Sequence, residues 1–257
     1  MNINDEFTEA CKNGNLGQVK YFLASPQLKE HADIHTDDDA AFKWACRNGH
    51  LDVVKYLLAS PQLKKPADVH AWSNLGLRWA CQNGHLDIVK YLLTSPDLKE
   101  RADIHANDDW GFISACAYGY FDIVKFLLTS PDLKDHANIH AKDDEGFRMA
   151  CQMGHLNVVK YLLTSQDLRE HANINDAEHR ALRMASYLEK NHVVEYLAGL
   201  YPVEELQDIV KRYDIENPYI EALLKSLQLK ETMEGDLLNG ENISEKFNSQ
   251  NPKHLKM

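Results

Sequence analysis

The 257-residue sequence contains no apolar run near the roughly 18 residues that a membrane-spanning helix needs. It has no excess of basic residues either: 28 lysines and arginines face 39 aspartates and glutamates, a net charge of −11. That balance argues against a nucleic-acid ligand, because binding to a phosphate backbone depends on neutralisation by Lys and Arg. The amino terminus, Met1-Asn2-Ile3-Asn4-Asp5-Glu6, is polar and acidic and does not read as a secretory leader. There is no glycine-rich phosphate loop and no nucleophile motif. Cysteine is scarce, and its five copies follow a single spacing.

Those cysteines stand 35 residues apart, at Cys11, Cys46, Cys81, Cys116 and Cys151. A disulfide needs Cα atoms within about 7 Å, whereas equivalent positions on successive packed helices lie roughly 8–10 Å apart. The cysteines are therefore expected as small buried apolar side chains in a reducing, cytoplasmic compartment. The preceding alanine keeps the same beat at Ala10, Ala45, Ala80, Ala115, Ala150 and Ala185, with Ser186 replacing the sixth cysteine. Leucine pairs follow in step (Leu57-Leu58, Leu92-Leu93, Leu127-Leu128, Leu162-Leu163), as do Lys20, Lys55, Lys90, Lys125 and Lys160. A fixed period of this length identifies a repeat architecture, with six units from about residue 2 to residue 200.

Within one unit, Phe147, Ala150 and Cys151 fall at i, i+3 and i+4 on one helix face, and Gly154 ends that helix. Asp143 or Asp144 is placed to cap its start. Leu156, Val159, Leu162 and Leu163 then define a second amphipathic helix. Ser-Pro (Ser60-Pro61, Ser95-Pro96, Ser130-Pro131) closes the second helix. A short extended piece such as Ala102-Asp103-Ile104-His105 leads on to the next unit.

The pair Ala80-Cys81, the turn Asn83-Gly84-His85-Leu86, the run Val89 to Leu93 and Ala102-Asp103-Ile104 resemble the ankyrin repeat. The resemblance covers about residues 2–200. It implies an all-α, ankyrin-type helical solenoid of about six helix-turn-helix repeats with short loop or hairpin connections, acting as a non-enzymatic protein-binding module. Two departures matter. The family's Thr-Pro-Leu-His helix start is replaced by segments such as Leu75-Gly76-Leu77-Arg78. The period is 35, against about 33 for the family. The extra residues are expected to lengthen the second helix or add a helical turn at Ser-Pro, beside a stubbier loop. Long-period units of this kind also look like the ankyrin arrays of amoeba-associated intracellular bacteria and giant viruses. The alternative that follows is a translocated bacterial effector, secreted into a host cell, whose array targets a host protein.

Beyond the array (1–200), Val203 to Val210 and Ile220 to Leu227 have helical spacing with Pro202 and Pro218 at their starts. Residues 201–230 are expected to form a C-terminal helical cap, and 231–257 a disordered polar tail.

Thirteen histidines invite a metal reading, with His31/His35 and His136/His140 at HxxxH spacing. Equivalent histidines are, however, a full repeat apart, and the HxxxH pairs fall in loops. Framework histidines bonded to neighbouring backbone are expected, with no metal and no cofactor. The same reasoning makes the turn residues His50, His85 and His155 structural.

Framework columns hold the fold; the columns that vary between repeats are free to read a partner. One such column precedes the Ala-Cys pair: Glu9, Trp44, Trp79, Ser114, Met149 and Met184. Ankyrin resemblance implies that it faces a concave groove. Trp72 and Trp110, like Trp44 and Trp79, interrupt variable columns, and repeat four adds Tyr118, Tyr120 and Phe121. The expected partner-binding residues are Trp44, Trp72, Trp79, Trp110 and Tyr118, extended by Met149 and Met153, with Arg47, Arg78 and Arg148 at the rim. A monomer engaging one partner protein is expected, with no membrane contact.

Overall fold

The computed structural model describes residues 2–175 and 178–238. Among them are fourteen α-helices and no strand. The chain divides into two compact units, Met1–Ala181 and Leu182–Met257.

The first unit holds five helix pairs: α1 Ile3–Lys12 with α2 Leu16–Ala24, α3 Ala40–Asn48 with α4 Leu51–Ala59, and α5 Ala71–Gln82 with α6 Leu86–Thr94. They are followed by α7 Ala106–Ala117 with α8 Phe121–Thr129, and α9 Ala141–Met153 with α10 Leu156–Thr164. First helices pack on first helices (α1, α3, α5, α7, α9) and second on second, so each repeat touches its neighbours in two layers. The core is correspondingly periodic. Phe7, Phe42, Leu77, Phe112 and Phe147 form one fully buried column, the five cysteines a second, and Leu57, Leu92, Leu127 and Leu162 a third. None of the five cysteines is joined in a disulfide. Burial drives the Cys46 and Cys116 thiols well above their ordinary pKa and Cys81 up to about 12, so these sulfurs are neutral and unreactive.

Close packing of first helices explains the glycine in the unusual helix start. A Cβ on Gly76 would sit 2.8 Å from Phe42 and one on Gly146 2.8 Å from Phe112, each a ring of the preceding repeat. The turn glycines Gly14, Gly49, Gly84, Gly119 and Gly154 have φ between 70° and 85°, which L side chains rarely adopt. Over most of them lies a ring from the next repeat. His50, His85 and His155 each bond through Nε2 to a backbone carbonyl 38 residues earlier (Lys12, Arg47, Ala117) at 2.9–3.0 Å. The expectation of framework histidines describes these rings.

The lysine column has a structural partner too. Lys20, Lys55 and Lys90 lie 5.5–5.6 Å over the rings of Tyr56, Tyr91 and Phe126, each on the second helix of the next repeat.

Of the two places expected for the extra residues, a longer second helix or an added turn at Ser-Pro, the structure has the turn: each second helix has nine residues, ended by an extended serine such as Ser60. Ser-x-x-Leu then makes one tight turn, with Leu63 N–H donating to Ser60 O, and Ala67 N–H ties the loop back to Leu57 O. A left-handed turn also stands at the start of α3, α5, α7 and α9. Residues 37–39, 72–74, 107–109 and 142–144 all have φ between 51° and 61°. One expectation is corrected: neither Asp143 nor Asp144 caps α9, which has no side-chain cap. Asp144 is the third residue of the turn, buried, and its Oδ1 accepts from His140 Nδ1 at 2.9 Å and from Asn173 N–H of the next repeat at 3.3 Å. Asp109 does the same with His105 (3.1 Å) and Asn138 N–H (2.9 Å), and Asn74 with His70 (3.1 Å) and Asp103 N–H (2.9 Å). These contacts with the next repeat outweigh a local cap.

The second unit contains α12 Asn191–Ala198, α13 Val203–Arg212 and α14 Pro218–Leu238, and the end of α11 Arg180–Tyr187. Pro202 stands at the cap of α13 and Pro218 opens α14, as proline should. Ser186, in the cysteine's place, satisfies its hydroxyl by donating to Leu182 O at 2.8 Å. Helix α14 continues past Glu231, where a disordered tail was expected to begin. Residues 228–234 (Gln-Leu-Lys-Glu-Thr-Met-Glu) are mostly good helix formers with no proline, and that propensity outweighs their polarity. The rest of the expected tail, 239–257, lies outside the described residues.

Candidate functional site

The packing of first helices brings equivalent positions of neighbouring repeats side by side, so Trp44 on α3 meets Trp79 on α5. Their ring centroids are 5.3 Å apart at 43°, and both rings remain partly open to solvent. Arg47, one turn further along α3, places its guanidinium carbon over both, 4.9 Å from the Trp44 ring centroid and 5.2 Å from that of Trp79. Lys12 on α1 reaches the Trp44 ring at 5.6 Å and pairs with Glu9 at 3.3 Å. On the other side Gln82 donates to the Tyr118 hydroxyl at 3.2 Å, and Tyr118 is 54% exposed, stacked near Tyr120. The patch therefore runs from Lys12 through Trp44, Arg47 and Trp79 to Tyr118, at the carboxyl-terminal ends of four first helices. Ser114, buried, follows in the tryptophan column, and beyond it Met149 is partly exposed and Met153 is 44% exposed.

The other two tryptophans do not join this cluster. Trp110 begins the regular part of α7, about 12 Å along the axis from Tyr118 at 1.5 Å per residue. Trp72 belongs to the left-handed turn of repeat three and is 62% exposed. Each lies under a lysine of a neighbouring repeat: Lys43 over Trp72 at 4.6 Å and Lys142 over Trp110 at 5.1 Å. Those lysines are held in turn, Lys43 by Asp37 O at 3.2 Å and Lys142 by Asp108 at 3.8 Å.

Arg78 and Arg148 fold back onto their own repeats. The guanidinium of Arg78 approaches the Trp72 and Ser73 carbonyls at 3.5 Å. That of Arg148 bonds the Lys142 carbonyl at 3.1 Å, the Asp143 carbonyl, and Glu145 at 3.2 Å. With Lys43 they form a cationic column that answers the carbonyls of the left-handed turn. Sequence reading missed this use, because it exists only once the turn is known.

The HxxxH pairs are separated in function. His31 and His136 bond the carbonyls of Ser25 and Ser130 at 3.0 Å, while His35 and His140 bond Asp39 and Asp144. Among the described residues no group of three or more His, Cys, Asp or Glu is placed to hold a metal. His105 stands between two carboxylates, with Asp109 on Nδ1 at 3.1 Å and Asp135 on Nε2 at 3.2 Å. Burial opposes its protonation, but the hydrogen bond to Asp135 and the charge of Asp109 outweigh that, and its pKa lies above the ordinary 6.5. The same bond, with the His136 N–H, holds the Asp135 carboxyl below its usual range. Because the folded pKa is raised, the contribution of His105 to stability is complete below pH 6.5 and fades as pH rises through the raised value. An NMR titration should place His105 above 6.5, and Asp135→Asn should lower it; an unchanged value in the variant would contradict the pairing.

No helix among the described residues is long and apolar enough to cross a membrane. Ankyrin repeats are the family whose model matches, in three copies over residues 7–108, 67–143 and 112–205. No curated protein matches the chain.

Proposed function

The chain belongs to the ankyrin repeat family, whose members are generally non-enzymatic protein–protein interaction modules, and we propose that it binds a partner protein through the first-helix face centred on Trp44, Arg47 and Trp79. One observation carries this reading. The framework columns are used up in packing and in bonds between repeats, whereas this aromatic and cationic cluster occupies variable columns and stays open to solvent. Tryptophan, tyrosine and arginine dominate interface hot spots, since large flat side chains bury much area at little entropic cost. Tyr118, Met149 and Met153 extend the same surface across repeats four and five. Arg78 and Arg148 support it by holding the turns, and Trp72 and Trp110 form a separate margin at the opposite helix ends. In the family such a surface lines the concave groove, and a monomeric array in a reducing compartment suits it.

The test is affinity capture from lysate, comparing wild type with Trp44→Ala/Trp79→Ala. Both rings are partly exposed, so the variant is expected to keep its helical circular dichroism and melt cooperatively. A specific partner should be retained by wild type and lost by the variant, each truncation costing about 2 kcal/mol of binding. Identical capture by both proteins would reduce the tryptophans to padding and move the search to the loops.

A further inference from the structure

All four tryptophans of the first unit carry a cation over a ring, and at two of them, Trp72 and Trp110, that cation is already answered. Lys43 over Trp72 is bonded to a carbonyl and surrounded by Asp37, Asp38 and Asp39, and Lys142 over Trp110 is paired with Asp108. Arg47 differs. It is exposed, its guanidinium lies over two indoles, and among the described residues no carboxylate or carbonyl takes a hydrogen bond or ion pair from it. The nearby Glu9 is engaged by Lys12 at 3.3 Å and Asn13 at 2.9 Å. The chain carries 39 acidic side chains, so an unanswered arginine held over two aromatic rings is not a matter of shortage.

A guanidinium held over aromatic faces can still donate from its N–H edge. That edge is the fork which matches a carboxylate through two parallel hydrogen bonds. Preorganisation matters here, because an arginine already held by its neighbours loses less rotamer entropy on binding. Beside the fork lie the open edges of Trp44 and Trp79, and the exposed Tyr118 beyond Gln82.

We infer that Arg47 is a carboxylate receptor, and that the partner is a peptide segment presenting an aspartate or glutamate next to an apolar or aromatic side chain. The carboxylate docks on Arg47, and the apolar neighbour lies on the two indoles. This rests on the reading of the Trp44–Trp79 face as the binding surface and adds to it the charge of the partner.

Random twelve-residue peptides displayed on phage and selected against the full chain test it. The bound pool should be enriched in Asp or Glu beside an apolar residue. For a selected peptide, Arg47→Gln in the chain and Glu→Gln in the peptide should each weaken binding about ten- to a hundredfold, the worth of a charge-assisted pair. The two changes together should cost little more than either alone, and Arg47→Lys should fall between, since an ammonium cannot make the bidentate fork. Peptides lost on Trp44→Ala/Trp79→Ala, yet without acidic preference and indifferent to Arg47→Gln, would overturn the carboxylate inference and leave the binding surface standing. Peptides indifferent to both tryptophans, or no selected peptide at all, would overturn the surface reading and this inference with it.

Discussion

Phe112→Ala is expected to lower the stability of the array by about 3–5 kcal/mol, the usual cost of deleting a buried phenyl ring. Phe112 is 1% exposed and its ring edge lies where a Cβ on Gly146 would be, 2.8 Å away. The ring occupies the space that Gly146 leaves on the facing helix, so its removal opens a cavity there. Because each repeat relies on its neighbours, the loss weakens the junction of repeats four and five. Urea unfolding followed by circular dichroism should show an earlier, broader transition. A loss below about 1 kcal/mol would mean that the first helices can close the gap, contrary to the tight packing described.

The second large effect is at Asp109. Its replacement by alanine is expected to cost about 2–3 kcal/mol, because the backbone N–H of Asn138 and the Nδ1 of His105 lose their shared, buried acceptor together. Asp109→Asn should cost much less. Asn74 already occupies the equivalent place in repeat three with the same two bonds, 3.1 Å to His70 and 2.9 Å to Asp103 N–H. The pair of variants separates two accounts of the column. If the charge were essential, Asn would be as harmful as Ala; if the bridging oxygen is, Asn is tolerated. Parallel denaturation of the two proteins reads the difference.

The period of 35, the helix pairs, the buried cysteines and the proline-headed final helices were legible because each depends on local pattern repeated many times. The left-handed turn was not. Three consecutive residues at positive φ run against intrinsic backbone preference, and Asp143-Asp144 before an apolar stripe looks like an ordinary helix cap. The signal that could have found it was present as a spacing: a histidine four residues before an Asp or Asn at 35/39, 70/74, 105/109 and 140/144. Gly76, Gly111 and Gly146 marked the close helix approach in the same way. For the candidate site, the adjacency of Trp44 and Trp79 followed from their one-repeat offset. The division of the aromatic set did not, because Trp72 and Trp110 stand at the opposite ends of their helices, under lysines of neighbouring repeats. The fate of Arg78 and Arg148 was equally hidden, since their acceptors are carbonyls of a turn that sequence preference disfavours.

The central claim is that a partner meets the face bearing Trp44, Arg47 and Trp79 and not the opposite layer of second helices. Site-specific photo-crosslinking tests it most directly, with a benzophenone amino acid in place of Tyr118, or in place of Lys125 on α8 as the comparison. The account predicts a discrete protein adduct from position 118 that disappears when Trp44→Ala/Trp79→Ala is added, and none from position 125. An adduct from position 125 alone, or one from 118 that survives loss of both tryptophans, would contradict it.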